Sequence, residues 1–233
     1  RYRYVTGVQT CALPIFGQGD VRLVPGRPVA RPRDLLARGF GAVVVAAGLG
    51  VPLPLEVPGA ARALPWTALL GPRPRSLRGR RVAVVGDGAV ALDCAEAARA
   101  RGAAHVELFA RKALGELAQT RRERDRLLAA GVEVSGRVRV TAVLGRGPRV
   151  AGLALRRLAL PPGQAFHPSR LADVPRSDHE RRDLDAVVLA LGGRAGLERD
   201  PHPRIHHAGD QVEGPSTVVQ ALASGKRAAQ AVH

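Results

Sequence analysis

The sequence has little cysteine and few aromatic residues, and it has no methionine. It contains two cysteines, Cys11 and Cys94, and 3% of its residues are aromatic. There is no C-x-x-C pair, so the redox-active dithiol of disulfide reductases is absent. The scarcity of cysteine also excludes a cysteine-ligated iron–sulfur cluster or a structural zinc site in this segment.

Basic residues outnumber acidic residues by 36 to 20, which gives a net charge of +16. Only Lys112 and Lys226 are lysines, and this bias toward arginine, alanine and glycine is typical of a GC-rich coding sequence. The basic residues are scattered, and few aromatic rings are present on which bases could stack. We therefore expect no specific nucleic-acid partner. We also expect no membrane span, because the apolar stretch at residues 42–55 is short and interrupted by proline.

The first residues differ in character from the rest of the chain. The segment VTGVQTCALPI at residues 5–15 resembles the in-frame translation of a sequencing adapter. We therefore interpret residues 1–15 as an artefact that lies outside the fold. On this interpretation the chain is an amino-terminally truncated piece of a longer protein, and Cys94 is its one genuine cysteine.

A dinucleotide-binding signature follows at residues 81–93, RVAVVGDGAVALD. An apolar strand runs into the spacing G-x-G-x-x-A, and an alanine-rich helix follows it to about residue 102. Gly86 is expected to allow the sharp turn, Gly88 to let a pyrophosphate approach the backbone, and Ala91 to keep the helix close to the strand. A βα turn without a ligand is the alternative.

The next strand, residues 105–109, ends in basic residues where an acid that binds ribose would be expected. Arg111 and Lys112 would attract a 2′-phosphate, whereas an acidic residue would repel it. The sequence therefore favours NADP over NAD. A solvated basic strand end is the alternative interpretation.

A second nucleotide signature lies near the carboxyl end. The sequence IHHAGD at residues 205–210 precedes GPST at residues 214–217 and a helix, a pattern typical of a strand, a tight turn and a helix start. The Asp210 carboxylate could accept hydrogen bonds from ribityl hydroxyls, and the first helical turn favours an electron-rich group. This turn is predicted to belong to a flavin site.

The remaining segments predict an alternating α/β order. We expect strands at residues 20–24, 40–48 and 184–193, and helices at residues 32–38 and 120–130. Residues 49–64 should form a crossover between domains. Residues 132–160 should form an antiparallel excursion with a turn at 145–148, and residues 161–182 an exposed loop.

Taken in order, AVVVAAG, VAVVGDGAVALDCAEAA, the basic strand end, DAVVLALGG, IHHAGD and GPSTVVQALASGKRAA resemble the small (beta) subunit of NADPH-dependent glutamate synthase and its flavoprotein relatives. The resemblance spans residues 20–233. It implies two nested Rossmann-like dinucleotide-binding domains of the pyridine nucleotide-disulfide oxidoreductase type, with an incomplete FAD domain. The glycine fingerprint that family members carry ahead of these segments is not in this sequence. The implied division is residues 16–64 for the first FAD-domain segment and crossover, 65–193 for the NAD(P)-binding domain, and 194–233 for the returning FAD-domain segment.

The resemblance also implies roles for individual residues. It places the NADPH pyrophosphate at the glycine turn and the 2′-phosphate at the basic strand end, whereas the flavin meets the carboxyl-terminal turn and helix start. Gly48 and Gly192 would close two strands near the cofactors. No catalytic acid, base or metal ligand is assigned, and His206 and His207 are expected to have a packing or surface role. The residues expected to bind FAD or NADP are Gly48, Gly86, Asp87, Gly88, Ala89, Val90, Arg111, Lys112, Gly192, Gly209, Asp210, Ser216, Thr217 and Val218.

The predicted function is that of a cytoplasmic, FAD-dependent NADPH oxidoreductase that passes electrons through flavin to a large catalytic subunit or another acceptor protein. One alternative is an NADP-binding dehydrogenase module without flavin. Others are a basic interaction protein and an inactive piece of a flavoprotein.

Overall fold

The computed structural model describes Arg22, residues 24–117 and residues 120–232. Residues 1–15 and three of the five residues of the strand predicted at 20–24 lie outside this description. The chain forms two compact units. One contains residues up to Gly48 together with Leu197–His233, and the other contains Leu49–Gly196. The second unit is therefore inserted into the first, and its bounds lie at different residues from the domain bounds predicted above.

The inserted unit is built on a five-stranded parallel sheet. Short apolar runs form its strands because β-branched residues suit a buried pleated surface. The strands are β3 (Leu64–Pro65), β4 (Arg81–Val85), β5 (His105–Phe109), β6 (Val132–Ser135) and β11 (Ala186–Leu189). Their order in the sheet is β3-β11-β4-β5-β6.

Helices cover one face of this sheet. They are α2 (Thr67–Leu70), α3 (Ala89–Ala100) and α4 (Arg121–Ala129). Side chains of α3 pack on Val82, Val84 and Val106 in one apolar core. Helix α4 begins where Thr120 and Glu123 form a capping box, as the T-x-x-E spacing favours.

An antiparallel layer covers the opposite face. Its strands are β7 (Val138–Arg146), β8 (Arg149–Ala159), β9 (Ala172–Asp173) and β10 (His179–Arg181), which pair as β10-β8-β7 with β9 on β8. The antiparallel excursion predicted over residues 132–160 is confirmed for β7 and β8, whereas Val132–Ser135 belongs to the parallel sheet as β6. The prediction of a loop over residues 161–182 is wrong. This segment holds a 3₁₀ turn, Pro168–Arg170, and two strands. These strands are polar and pair with β8, so hydrophobic alternation does not reveal them.

Two further short strands, β2 (Val51–Pro52) and β12 (Gly193–Arg194), pair antiparallel within the inserted unit. The crossover that precedes β3 also contains a 3₁₀ turn, Ala60–Arg62.

The other unit holds α1 (Arg33–Ala37), β1 (Val43–Val45), β13 (Ile205–His207), α5 (Asp210–Glu213) and α6 (Val218–Gln230). Strands β1 and β13 pair in parallel, and their inward residues pack with Leu35 and Leu36 of α1. Arg33 and Asp200 form a bidentate ion pair. This Arg33 guanidinium lowers the pKa of Asp200 to about 2. Among the described helices of both units, none combines the length and the apolar character needed to span a membrane.

Candidate functional site

The G-x-G-x-x-A turn stands at the carboxyl end of the central strand β4. The backbone N–H of Gly86 donates to the Phe109 carbonyl at 3.0 Å, which ties this turn to the end of β5. Gly86 has φ 153°, and a Cβ there would lie 2.3 Å from the Ala190 carbonyl oxygen and 3.1 Å from Ala91 Cβ. Only glycine lets β4 pass this close to the end of β11 and the start of α3.

Gly88 is the N-cap of α3 and leaves an open surface. It has extended backbone, its N-cap position has no side-chain hydrogen bond, and a Cβ there would meet no atom within 4 Å. Ala89 is exposed and Val90 half-buried in the first turn. The amide groups at the start of a twelve-residue helix therefore face space that an anionic group can enter.

The predicted phosphate-binding cation Arg111 is paired within the turn. Its Nε lies 3.6 Å from a carboxylate oxygen of Asp87, the residue between the two glycines. The Arg111 side chain is 51% exposed and that of Asp87 18% exposed. The strand end and the glycine turn therefore form one surface, as the parallel pairing of β4 and β5 requires.

Lys112 lies over an aromatic ring. Its Nζ lies 5.3 Å from the centroid of Phe166, and the guanidinium of Arg137 lies 5.7 Å from the same centroid. Arg137 also approaches the Arg111 carbonyl at 3.5 Å and pairs with Glu116. Three cations therefore gather beside the end of β5.

The sequence analysis missed Arg137 and Phe166. Arg137 comes two residues after Ser135, the last residue of β6, so the rule that ligands bind at the carboxyl ends of parallel strands could have indicated it. Its backbone is left-handed, with φ 57°. Phe166 lies between β8 and β9, and no local pattern shows that it reaches the sheet edge.

Gly192 lies in the turn after β11, at the same edge of the sheet. The Ala190 N–H donates to the Val85 carbonyl at 2.8 Å, and the Gly192 carbonyl accepts from the Leu53 N–H at 3.1 Å. The predicted residues of the inserted unit thus lie along neighbouring strand ends. These residues are Gly86, Asp87, Gly88, Ala89, Val90, Arg111, Lys112 and Gly192.

The other predicted residues lie in the unit made of residues up to Gly48 and Leu197–His233, which we call the outer unit because the inserted unit interrupts its sequence. Gly48 follows β1, and Gly209 follows β13 and precedes the short helix α5. The Gly209 N–H donates to Ser224 Oγ at 3.0 Å, while Ser216 Oγ donates to an oxygen of Asp210 at 2.5 Å. The turn is therefore held to α6 from two sides. The predicted residues of this unit are Gly48, Gly209, Asp210, Ser216, Thr217 and Val218.

Helix α6 begins with a closed capping box. Thr217 N–H donates to Gln220 Oε1 at 2.9 Å, and Gln220 N–H donates to Thr217 Oγ1 at 3.3 Å. The polar groups of the capping box are hydrogen-bonded to one another, whereas three apolar side chains near the helix start are exposed to solvent. Val218 is 51% exposed, Val219 76% and Leu222 70%. The start of this helix therefore presents apolar side chains, which suit a planar ring better than a phosphate.

One histidine beside this turn has a structural partner. His207 is half-buried, and its Nε2 accepts the Asp200 N–H at 2.9 Å. This bond connects β13 to the segment that carries Asp200.

A cluster of His105, Glu107 and Glu133 lies at the amino half of β5 and β6, with ligand atoms close enough for a metal ion. The buried Glu107 carboxylate already has compensating partners. Arg181 Nη1 lies 2.7 Å from one oxygen, and Ser135 Oγ donates to the other at 2.6 Å. The arrangement is that of a buried ion pair whose charge is balanced within the fold.

Comparison with known proteins reveals several relatives. The chain is 32% identical over 229 aligned residues to the NADP(+)-dependent formate dehydrogenase subunit beta of Moorella thermoacetica, covering 85% of this chain and 32% of that protein. It is 28% identical to the glutamate synthase [NADPH] small chain of Escherichia coli over 67% of this chain and 39% of that protein. It is 29% identical to the PreT homolog, an NAD-dependent dihydropyrimidine dehydrogenase subunit, of Salmonella typhi, over 66% of this chain and 36% of that protein. The chain thus spans about a third of the length of these curated relatives, from 32% to 39%.

Solved structures share the fold. The thioredoxin reductase of T. acidophilum superposes with a TM-score of 0.59 at 15% identity, over 82% of this chain and 64% of that one. A 2-naphthoyl-CoA reductase superposes with a TM-score of 0.61 at 16% identity, over 84% of this chain and 27% of that one. No protein-family model matches the sequence.

These relatives confirm the resemblance drawn from the motifs, and the solved structures confirm the Rossmann-type fold. The chain belongs to the oxidoreductase family that includes the glutamate synthase small chain, PreT and the beta subunit of NADP(+)-dependent formate dehydrogenase.

Proposed function

We propose that the parent protein is a flavin-dependent NADPH oxidoreductase, an electron-input subunit that passes reducing equivalents from NADPH through FAD to an acceptor protein. The observation that carries this proposal is the close-fitting glycine turn at Gly86, which joins an uncapped helix start to a basic strand end at Arg111. The family relatives support the same reading.

The inserted unit is proposed to bind NADPH. Its pyrophosphate would approach Gly88 and the amides of Ala89 and Val90, where no side chain obstructs the first turn of α3. Gly86 and Gly192 would shape the edge of the pocket. The fit is good because space, helix polarity and backbone donors coincide at one strand end.

The 2′-phosphate is proposed to bind among Arg111, Lys112 and Arg137. Guanidinium groups can donate two parallel hydrogen bonds to a phosphate, and Lys112 adds a point charge. Asp87 and Glu116 balance Arg111 and Arg137 in the unliganded chain. A dianionic phosphate would compete for the same donors, which would favour NADPH over NADH.

The outer unit is proposed to contribute to FAD binding. One Asp210 oxygen accepts from Ser216, and the other has no hydrogen-bond partner among the described residues, so it can accept from a ribityl hydroxyl. Gly209 gives access to the turn, and Gly48 closes the neighbouring strand. Thr217 fixes the helix start, at which Val218 offers an apolar surface to the flavin ring.

In such proteins, the reduced nicotinamide supplies a hydride and the flavin passes electrons onward. The described residues would bind and orient these groups rather than donate or accept protons, in keeping with the absence of an assigned catalytic acid or base. By analogy with the subunit names of the relatives, the acceptor is proposed to be a partner subunit.

A substitution at the basic strand end tests the nicotinamide assignment. In the R111Q/K112Q variant, affinity for NADPH should fall about tenfold to a hundredfold while affinity for NADH changes by less than about twofold. The matched control is R122Q/R157Q, which removes two exposed arginines elsewhere in the inserted unit. Calorimetric titration of the chain with each nucleotide measures both affinities. Equal losses for NADPH and NADH would contradict the 2′-phosphate assignment.

The flavin assignment needs a separate measurement. Titration of the chain with FAD should quench flavin fluorescence, and D210A should weaken this binding while leaving NADPH affinity unchanged. NADPH binding without any FAD binding would contradict a flavin site formed by the residues of this chain alone.

A further inference from the structure

The inserted unit contains a cleft that lies far from the glycine turn. Its volume is about 600 Å³, a size typical of sites for small organic ligands. Arg80 and Asp185, which line it, directly precede β4 and β11. The cleft therefore lies at the amino ends of strands whose carboxyl ends carry Gly86 and Gly192. Five residues of strand separate the two edges by roughly 15 Å.

Four arginines line this cleft, and they come from three separate segments. Arg62 ends the 3₁₀ turn, Arg75 and Arg80 lie in the segment before β4, and Arg149 starts β8. Asp185 is the acidic residue of the lining, and its Oδ2 already accepts the Arg81 N–H at 2.8 Å. The lining is therefore strongly positive.

None of these four arginines has a carboxylate partner within the part of the chain that the structure describes. Many other arginines of the same unit do have one, for example Arg126 with Glu96 and Arg156 with Asp178. The guanidinium groups of the cleft are therefore available to an external anion.

The Arg62 side chain is held in place by the backbone around it. Its Nε donates to the Gly147 carbonyl at 2.8 Å. A Cβ at Gly59 would lie 2.5 Å from Arg62 Nη1, and a Cβ at Gly145 would lie 3.1 Å from Arg62 Cδ. Two glycines thus leave room for the Arg62 side chain and confine it beside the cleft. Because this side chain is already ordered, it would lose little conformational entropy when a ligand binds.

Apolar residues line the cleft beside the arginines. Leu64 and Val150 are partly buried, and Leu77 and Val187 are buried behind them. A lining that combines guanidinium groups with apolar side chains suits a ligand with several anionic oxygens attached to a compact organic body. We propose that this cleft binds a small organic polyanion, with phosphate or carboxylate groups held by Arg62, Arg75, Arg80 and Arg149. The site is separate from the proposed NADPH site and does not depend on it.

Calorimetric titration at about 0.15 M salt tests this proposal, because screening at that ionic strength weakens nonspecific attraction. Sodium tripolyphosphate and citrate are the probes, and they distinguish phosphate from carboxylate recognition. The chain carries R111Q/K112Q throughout, which removes the basic strand end as a competing site. At least one probe should bind with a stoichiometry of one.

Adding R80Q/R149Q should weaken this binding about tenfold or more, since each guanidinium contributes charge-assisted hydrogen bonds. The matched control R122Q/R157Q removes the same charge from exposed positions outside the cleft and should change affinity less than about twofold. Thermal unfolding checks that each variant folds, and R75Q/R149Q replaces R80Q/R149Q if the latter does not. Equal losses in cleft and control variants, or no binding of either probe, would overturn the proposal. Failure of NADPH binding alone would leave it standing.

Discussion

Arg111 Nε and the Asp87 carboxylate lie 3.6 Å apart across the ends of β4 and β5. The acid between the two glycines would by itself repel a pyrophosphate, and the arginine offsets its charge. The same pair also engages Arg111, one of the cations of the proposed 2′-phosphate site. The glycine turn and the basic strand end are therefore electrostatically coupled.

This coupling predicts the effect of D87N. Removing the carboxylate takes a negative charge from the turn and releases Arg111, so NADPH affinity should rise about threefold. Titration of wild type and D87N with NADPH measures the change. The control is D125N, which removes an exposed acid from α4. Weaker NADPH binding by D87N would show that Asp87 positions Arg111 rather than competing for it.

The two glycines of the turn should respond differently to alanine. G86A places a Cβ against the Ala190 carbonyl and should lower the free energy of unfolding by about 3 kcal/mol. G88A has open space and extended backbone, so it should keep stability within about 1 kcal/mol. It should nevertheless weaken NADPH binding, because its methyl group occupies the approach to α3.

Denaturant unfolding and NADPH titration of both variants separate these effects. A stable G86A variant would contradict the close approach of β4 and β11. Full NADPH affinity in G88A would contradict the placement of the pyrophosphate.

Arg137 and Phe166 should contribute to recognition of the adenosine end. R137Q is expected to weaken binding of 2′,5′-ADP about fivefold to tenfold and to leave 5′-AMP binding nearly unchanged. F166A should weaken the binding of both ligands to a similar extent, because a stacking surface contacts the adenine that the two ligands share. Arg139, which pairs with Asp173, supplies the control variant R139Q. A loss of 5′-AMP affinity in R137Q equal to that of 2′,5′-ADP would refute the specific role.

Cys94 is buried against the sheet, and this burial together with Asp93 raises the pKa of its thiol to about 12. In a C11A background, the folded chain should react very slowly with a thiol reagent at pH 8 and rapidly after denaturation. The raised pKa means that the folded state holds its proton more tightly than the unfolded state does. This contribution to stability is therefore complete below about pH 9 and declines as the pH rises toward 12.

Unfolding curves at pH 8 and pH 10.5 test the sign. The stability of the C11A chain should fall more between these values than that of a C11A/C94A chain. Rapid modification of the folded chain would show that α3 does not cover this position.

The elements around the glycine turn could be predicted because local signals agree there. The apolar run of β4, the G-x-G-x-x-A spacing and the alanine-rich helix α3 all favour one arrangement, and the structure confirms it. Strands β9 and β10 could not be predicted in this way. His179–Arg181 is polar throughout, and its pairing is determined by β8 rather than by its own pattern.

Side-chain partners were predicted less well than elements. The Arg111–Asp87 pair depends on the register between two strands, and the contact of Lys112 with Phe166 joins residues more than fifty positions apart. Sequence spacing carries no direct information on such contacts. The elements that carry the proposed nucleotide site were thus predictable, whereas the balance of charge among its residues was not.

The pairing of Val43–Val45 with Ile205–His207 also has a consequence for the order of folding. During synthesis β1 emerges early, but its partner follows only after the whole inserted unit has been made. Leu49–Gly196 forms a compact unit from one continuous segment, so this unit can fold first, as domains generally do during synthesis. The other unit is expected to complete its fold last, because β1 has no partner strand until Ile205–His207 has been made.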